Sequence, residues 1–240
     1  MTEDFDVDFE DIVTFDIDEI LNLSELCLTA EVKEEEIYEA KRYKRPKFVK
    51  YEYAEAAAKN IRADNDGDVV HVIVSGNFIF GDFIEAFVVE NNYLCEELIV
   101  ATLSLSQENV DSFLNLINGD YVKKMSLLVS DYWFSHERYN GAKYICDHME
   151  ENVINFAVAG VHTKVVLIKT QCGKHFVLHG SANLRASRNL EQFCLENEKG
   201  LYDFHKSWIN PLVDEYKVDK KSKRSKELWQ NLTEQGKQGG

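Results

Sequence analysis

The stretch HTKVVLIKTQCGKHFVLHGSAN, residues 162–183, is the most informative part of this sequence for its fold. Together with the residue before it, it contains two apolar runs, 161–170 and 173–183, which meet at a short turn containing Gly173. Apolar runs of this length joined by a short glycine-containing turn are typical of a β-hairpin. The sequence therefore predicts an antiparallel strand pair in its C-terminal half.

The hairpin and the residues just after it contain a set of side chains suited to phosphodiester chemistry. The candidates are His162, Lys164, Ser181, Asn183 and Glu191. Residues two apart on a strand share a face, so the imidazole and the ammonium should project together, and so should the hydroxyl and the amide. An imidazole can attack phosphorus, an ammonium and neutral donors can hold the phosphoryl oxygens, and a carboxylate can fix the imidazole tautomer. Glu196 is the second candidate for that carboxylate.

The chain on the N-terminal side of the hairpin alternates between strand-like and helix-like segments. The predicted strands are 69–76, 97–105, 125–133 and 153–160. The predicted helices are 53–61, 82–92, a helix starting after Ser106, and 136–152. Such alternation predicts an α/β domain with a mixed, mostly parallel sheet flanked by helices on both faces, with the hairpin in its C-terminal half.

At these residues the sequence resembles the phospholipase D superfamily, whose signature is H-x-K-x4-D followed by G-S-x-N. The resemblance covers residues 162–191 closely and the strand–helix series from about residue 69 more loosely. It implies a phosphohistidine intermediate on His162, with Lys164, Ser181 and Asn183 holding the phosphate and Glu191 orienting the histidine. It implies no cofactor and no metal ion.

Two departures from the signature and the number of motif copies bear on this resemblance. Lys169 stands where the signature has Asp, and the spacing from Lys164 to Gly180 is longer than usual. The sequence has one H-x-K, whereas the mechanism needs a second histidine as the acid for the leaving oxygen. Superfamily members with one copy form symmetric dimers, so the resemblance implies a homodimer with one composite site.

Charge is distributed very unevenly along the chain. Of 42 acids and 27 bases, residues 1–40 hold 15 acids and one base, which leaves 27 acids and 26 bases in the rest. Two basic stretches, 41–50 and 217–226, suit a nucleic-acid backbone, although a solvated linker and a helix end explain them as well. The predicted organisation is an acidic arm (1–40), a basic connecting segment and helix (41–60), a phospholipase D-like domain (61–216) and a basic, flexible tail (217–240).

The acidic arm also contains regularly interspersed apolar residues, which leaves three interpretations open. It could fold on a protein partner, cover a basic groove of its own protein, or form a peripheral helix. The N-terminus is unlike a secretory signal, and no apolar run is long enough to span a membrane, so a cytoplasmic protein is expected.

Cysteine and histidine spacing bears on metal binding, and three polar residues outside the signature are candidates for binding substrate. The five cysteines are far apart and contain no C-x-x-C pair, and His175 and His179 would lie about 13 Å apart on a strand, too far for one ion. No metal site is therefore predicted. Asn77, at the end of a predicted strand, could line the phosphate pocket or serve only a tight turn. Arg185 and Arg188 could contact substrate phosphates or lie on a solvated helix face.

These observations favour a metal-independent phosphodiesterase, specifically a nuclease that cleaves DNA in preference to RNA. The first alternative is a catalytically weak or inactive phospholipase D-like protein that binds nucleic acid or takes part in an assembly. The second alternative is a phosphodiesterase acting on phospholipid or a small diester.

Overall fold

The computed structural model describes the following residues of the 240-residue chain: 47–51, 54–74, 78–137, 140–148, 154–184 and 189–218. The strands are β1 (Lys47–Tyr51), β2 (Val69–Val74), β3 (Cys95–Thr102), β4 (Met125–Ser130), β5 (Ile154–Ala159), β6 (Val165–Thr170), β7 (His175–Gly180) and β8 (Glu191–Asn197). The helices are α1 (Ala54–Asn60), α2 (Phe80–Glu90), α3 (Gln107–Asn118), α4 (Asp131–His136), α5 (Gly141–His148) and α6 (Lys199–Glu215).

The described strands form one mixed sheet in the order β1-β2-β8-β7-β6-β3-β4-β5. The pairs β1–β2, β3–β4 and β4–β5 are parallel, and the four pairs in the middle of the sheet are antiparallel. The predicted α/β class is confirmed, but the expectation of a mostly parallel sheet is wrong. The reason is that β6, β7 and β8 insert between the two parallel groups and run antiparallel to their neighbours.

Helices cover both faces of the sheet, as the sequence predicted. One face carries the larger core, in which the aromatic side chains of α2 and α3, including Phe83, Phe87 and Phe113, pack with the strands. On the other face α6 lies against β4–β7. Strand side chains alternate between faces, so neighbouring buried residues such as Leu98 and Ile99 serve opposite sides of the sheet.

The predicted hairpin is observed as β6 and β7, with Val165 opposite His179 and Lys169 opposite His175. Gly173 in its turn has φ +87°, in the left-handed region that glycine adopts without strain. The hairpin strands are shorter than predicted, because regular pairing begins at Val165 and ends at Gly180. The signature residues therefore flank the strands at one end of the hairpin.

One strand that the sequence analysis did not predict and one early helix start are the main further differences from the expected elements. Lys47–Tyr51, within the predicted connecting segment, pairs with β2 as the strand β1. The predicted third strand ends at Ser130, whose hydroxyl accepts a hydrogen bond from the backbone N–H of Tyr132 at 3.1 Å. This cap starts α4 five residues before the predicted helix begins, since an N-cap hydroxyl satisfies one of the free N–H groups of the first turn.

Several expectations lie outside the described residues: the acidic arm, most of the tail, Asn77, Arg185 and Arg188. Within the described ranges, none of the helices combines the length and the apolar character that crossing a membrane requires.

Candidate phosphodiester site

His162 and Lys164 lie in the segment between β5 and β6, just before the first paired residue of β6. The imidazole is exposed and the lysine is half-buried. Lys164 Nζ lies 3.3 Å from His162 Nδ1 and donates to the His162 carbonyl oxygen at 3.1 Å. The imidazole and the ammonium thus face one another, but the expectation that both lie on a strand is wrong, because the pairing of β6 begins only at Val165.

Ser181 directly follows β7, and its hydroxyl is held by the start of β8. Its Oγ donates to Glu191 Oε2 at 2.6 Å and accepts from the backbone N–H of Gln192 at 3.0 Å. The Ser181 backbone N–H in turn donates to the Gln192 carbonyl oxygen at 3.0 Å. These three contacts hold the residues that follow β7 against Glu191 and Gln192, the first two residues of β8.

Gly180 is required at this corner because the two strands approach closely. A Cβ at this position would lie 2.3 Å from the Gln192 carbonyl oxygen and 2.7 Å from Phe193 Cα. Both are backbone atoms of a paired strand, so neither can move aside without disturbing the sheet. The glycine of the G-S-x-N segment therefore lets β7 come close enough to β8 for Ser181 to reach Glu191.

Asn183 follows Ser181 and is half-buried. Its Oδ1 is buried, and none of the described residues donates a hydrogen bond to it. The next residue, Leu184, is anchored by its carbonyl oxygen, which accepts from the backbone N–H of Ser106 at 2.8 Å. A buried amide oxygen without a donor is uncommon in folded proteins and is typical of strained or functional positions.

The two candidate carboxylates have different partners. Glu191 accepts from Ser181, and no hydrogen bond between Glu191 and His162 is present among the described residues. Glu196 Oε1 lies 2.8 Å from His179 Nε2 and accepts from Cys194 Sγ at 3.6 Å. Glu196 is therefore committed to a histidine of β7, which leaves Glu191 as the carboxylate at the His162 end of the hairpin.

Lys169, at the position of the signature Asp, lies at the other end of β6. It is four residues from Val165, about 13 Å along an extended strand. Its Nζ forms an ion pair with Glu96 Oε2 at 2.8 Å, and this contact raises the pKa of Lys169 and lowers that of Glu96. The lysine that stands in place of the signature Asp thus forms a surface ion pair between β6 and β3. This ion pair lies at the end of β6 that is remote from His162.

The structure brings His162, Lys164, Ser181, Asn183 and Glu191 to one end of the β6–β7–β8 unit. Sequence reasoning did not identify the close approach at Gly180 or the cluster of His179, Cys194 and Glu196. This cluster could not be predicted from the spacing of its residues in the sequence, because it depends on which residues of β7 and β8 face each other.

Comparisons with known proteins give a likeness of fold. No protein-family model matches the sequence, and no curated protein matches it. The structure is similar to a phospholipase D family member, Nuc from Salmonella typhimurium, at 14% identity and TM-score 0.44 over 65% of this chain and 100% of that chain. It is similar to NucT from Helicobacter pylori at 14% identity and TM-score 0.40, over 53% of this chain and 85% of that one.

A third similar structure is TrmBL2, described as an archaeal chromatin protein with a novel mode of DNA binding. It has 14% identity and TM-score 0.44, over 68% of this chain and 58% of that chain. One of these three solved structures is described as a phospholipase D family member. At these identities the likeness concerns the fold alone, and the chemistry has to be inferred from this chain's own residues.

Proposed function

We propose that this protein is a phosphodiesterase that uses His162 as its nucleophile and acts on nucleic acid, DNA in preference to RNA. The observation that carries the proposal is the placement of His162, Lys164, Ser181 and Glu191 at one end of the hairpin, with the imidazole and the ammonium 3.3 Å apart. A nucleophile, a cation and a hydroxyl donor in one corner are what attack on a phosphodiester requires.

The contact between Lys164 and His162 defines the starting state of the nucleophile. An ammonium only donates hydrogen bonds, so His162 Nδ1 accepts, and the proton of the neutral ring is on Nε2. Attack through Nε2 needs the other tautomer. We infer that a substrate phosphate attracts Lys164 away from the ring, after which Nδ1 carries the proton and Nε2 presents its lone pair.

Glu191 is the group we assign to stabilise that second tautomer. Its carboxylate already accepts from Ser181 at 2.6 Å and has a second oxygen that can accept from His162 Nδ1–H. Ser181 would then turn its hydroxyl towards a phosphoryl oxygen. Substrate binding therefore exchanges two internal contacts, Lys164–His162 and Ser181–Glu191, for contacts with phosphate.

The reaction proceeds in two steps. His162 Nε2 forms a bond to phosphorus while the bond from phosphorus to the leaving oxygen breaks, and that oxygen takes a proton from an acid. Water then attacks phosphorus and gives a proton to the acid of the first step, which is now a base, while the bond from phosphorus to His162 breaks. Since the sequence contains one H-x-K, we propose that the acid is His162 of a second subunit in a symmetric dimer.

Nucleic acid is the substrate class that the charge distribution favours. Outside residues 1–40 the chain is nearly neutral overall, yet it contains the basic stretches 41–50 and 217–226. Basic residues interspersed with aromatic residues, as in the first stretch, bind a phosphate backbone and stack on bases. The side chains at the site supply both nucleophile and charge neutralisation, so we propose that the chemistry itself needs no metal ion.

Plasmid nicking in the presence of EDTA tests this proposal. The wild type should nick, and His162→Ala should reduce the rate to background. His136→Ala, which removes an exposed histidine of α4, is the matched control and should keep wild-type activity. Equal nicking by wild type and His162→Ala would overturn the proposal. Sedimentation of the active species should give a dimer, and an active monomer would contradict the composite site.

A binding protein without catalysis is the second candidate. It is favoured by the absence of a His162–Glu191 hydrogen bond among the described residues, since Glu191 is occupied by Ser181. On this alternative, wild type and His162→Ala would shift DNA equally in a mobility assay and neither would nick it. A phosphate trapped on His162 after exposure to substrate would show that the protein is an enzyme and would exclude this alternative.

A further inference from the structure

A second cluster of chemically active side chains lies between the sheet and α6. His179 of β7 is directly opposite Cys194 of β8, and Glu196 is two residues further along β8 on the same face. One potential ligand atom from each of these residues lies within 4.8 Å of the other two. The cluster contains none of the residues that the proposed phosphodiester chemistry uses.

We propose that His179, Cys194 and Glu196 bind a zinc-type divalent cation. Imidazole nitrogen, thiolate sulfur and carboxylate oxygen are the three ligand types that Zn²⁺ takes in proteins. With bonds of about 2.0–2.3 Å, ligand atoms around a tetrahedral ion lie roughly 3.3–3.8 Å apart. The Cys194 Sγ to Glu196 Oε1 distance is 3.6 Å, in that range.

The His179 Nε2 to Glu196 Oε1 distance of 2.8 Å is shorter and is a direct hydrogen bond. Both side chains are partly exposed, at 38% and 13%, and can rotate slightly to admit an ion between them. Cys194 is buried, which fixes the third ligand. Three protein ligands leave the fourth tetrahedral position for a water molecule.

The histidine of α6 next to the cluster does not oppose a cation. The ring of His205 on α6 lies 6.3 Å from that of His179, and burial together with His179 lowers the pKa of His205 to about 4. This ring is therefore neutral at pH 7 and does not repel a positive ion. Trp208 Nε1 donates to His205 Nδ1 at 3.2 Å, so the ring proton is on Nε2 and His205 is not counted as a ligand.

Cys194 has to lose its proton when the ion binds. Burial, and secondarily Glu196, raises the pKa of Cys194 to about 12, so without metal the thiol is protonated and donates to Glu196. On binding, sulfur gives an electron pair to the ion and the thiol proton leaves to solvent. Metal affinity should therefore increase with pH.

The ion would link two strands close to the proposed phosphodiester site. His179 is two residues before Ser181, and Cys194 is three residues after Glu191. A bond from β7 to β8 at this point would hold the Ser181 corner in place. The expected role is to stabilise the fold, so it is distinct from the chemistry at His162 and does not depend on it.

Titration of the untagged, metal-stripped full chain with Zn²⁺, in competition with a chromophoric chelator, tests the site. The matched variants are Cys194→Ser and Cys172→Ser, which make the same change inside the cluster and at the exposed hairpin turn. We expect one tight Zn²⁺ per wild-type chain, the same for Cys172→Ser, and affinity at least tenfold weaker for Cys194→Ser. Co²⁺ should give a thiolate-to-metal charge-transfer band that Cys194→Ser lacks.

If Cys194→Ser does not fold, Glu196→Gln tests the same site, because the Glu196 side chain is partly exposed and tolerates the change more easily. This variant should also lower the affinity for Zn²⁺ at least tenfold. Zn²⁺ should raise the Tm of the wild type and leave that of Glu196→Gln unchanged. Equal Zn²⁺ affinity in wild type and either cluster variant, or no Zn²⁺ binding by the wild type, would overturn the proposal. Loss of nicking by His162→Ala with Zn²⁺ binding retained would show that the two sites are independent.

Discussion

The two ends of the β6–β7 hairpin carry similar residues that have different partners. At the turn end (Lys169, Gly173 and Lys174), Lys169 pairs with the Glu96 carboxylate at 2.8 Å, and Lys174 Nζ lies 3.8 Å from the Asp64 carboxylate oxygen Oδ1. At the motif end (His162, Lys164, Gly180 and Ser181), Lys164 contacts an imidazole nitrogen and a carbonyl oxygen, both neutral.

This difference explains how one hairpin can be structural at one end and reactive at the other. A lysine already paired with a carboxylate gains little by turning to a phosphate, because it must first give up an opposite charge. A lysine held by neutral acceptors gains a charge-assisted hydrogen bond when phosphate arrives. The residue type is the same, and the partner decides what the side chain can do.

The largest expected effect is on catalysis, in a comparison of the two lysines. Lys164→Ala should lower the rate of diester cleavage by about 10²–10³-fold, because it removes a cation that stabilises developing charge on the phosphoryl oxygens. Lys169→Ala should leave the rate unchanged, since it removes only an exposed ion pair. Single-turnover cleavage of a chromogenic diester measures both, and similar losses would show that the ends are not functionally distinct.

The next largest effect is on folding stability, in a comparison of the two glycines at the ends of the hairpin. Gly180→Ala places a Cβ against the backbone of β8 and should destabilise the fold by about 1–3 kcal/mol, a Tm decrease of roughly 3–10 °C. It should also displace Ser181 and reduce activity in the protein that remains folded.

Gly173→Ala is the control at the turn end. Its Cβ would meet no atom within 4 Å, so the substitution causes no clash. The only cost is that of placing an alanine at φ +87°, about 1 kcal/mol of folding stability. Activity per folded molecule should equal that of the wild type. Thermal unfolding followed by circular dichroism, with activity normalised to the folded fraction, tests the pair. A greater loss of activity for Gly173→Ala would contradict the comparison.

The smallest effect concerns two imidazoles where α6 meets the sheet, His205 of α6 and His175 of β7, one near each end of the hairpin. Burial lowers the pKa of His205, near the motif end, to about 4, and it lowers that of His175 near the turn end as well. The unfolded chain binds a proton on His205 near pH 6.5, whereas the folded chain does not until about pH 4. Folding stability due to neutral His205 is therefore complete above pH 6.5 and decreases as the pH is lowered towards 4.

Replacing His205 with Gln should remove about 1–2 kcal/mol of this acid sensitivity, after allowance for the solvent that reaches the ring. His175→Gln should change the pH dependence in the same direction and by less. Urea unfolding at several pH values between 4 and 7 measures both variants. An unchanged slope for His205→Gln would show that His205 does not titrate with the expected pKa.

Much of the fold could be predicted from local sequence patterns. The apolar runs marked β2 to β7, and the Gly173 turn marked the hairpin, because alternation and turn residues act over a few positions. The strand β1 was missed since its five residues, KFVKY, look like part of a basic segment. Nothing local indicates that it pairs with β2.

The candidate site divides in the same way. The H-x-K and G-S-x-N segments were enough to predict that His162, Lys164 and Ser181 lie at the same end of the hairpin, and the register of β6 and β7 agrees with this. The partner of each carboxylate could not be predicted, because Glu191 and Glu196 are five residues apart on β8 and either could have served. Register settles their contacts, with Glu191 on Ser181 and Glu196 on His179.

The sequence by itself determined the α/β class, the hairpin and the set of reactive residue types, since these follow from short-range periodicity and spacing. Only the tertiary structure decided that β6–β8 insert between two parallel groups, that Lys169 is neutralised by Glu96, and that His179 meets Cys194 across two strands. Those facts depend on strand order and register, which are set by how the whole core packs and cannot be inferred from any single segment.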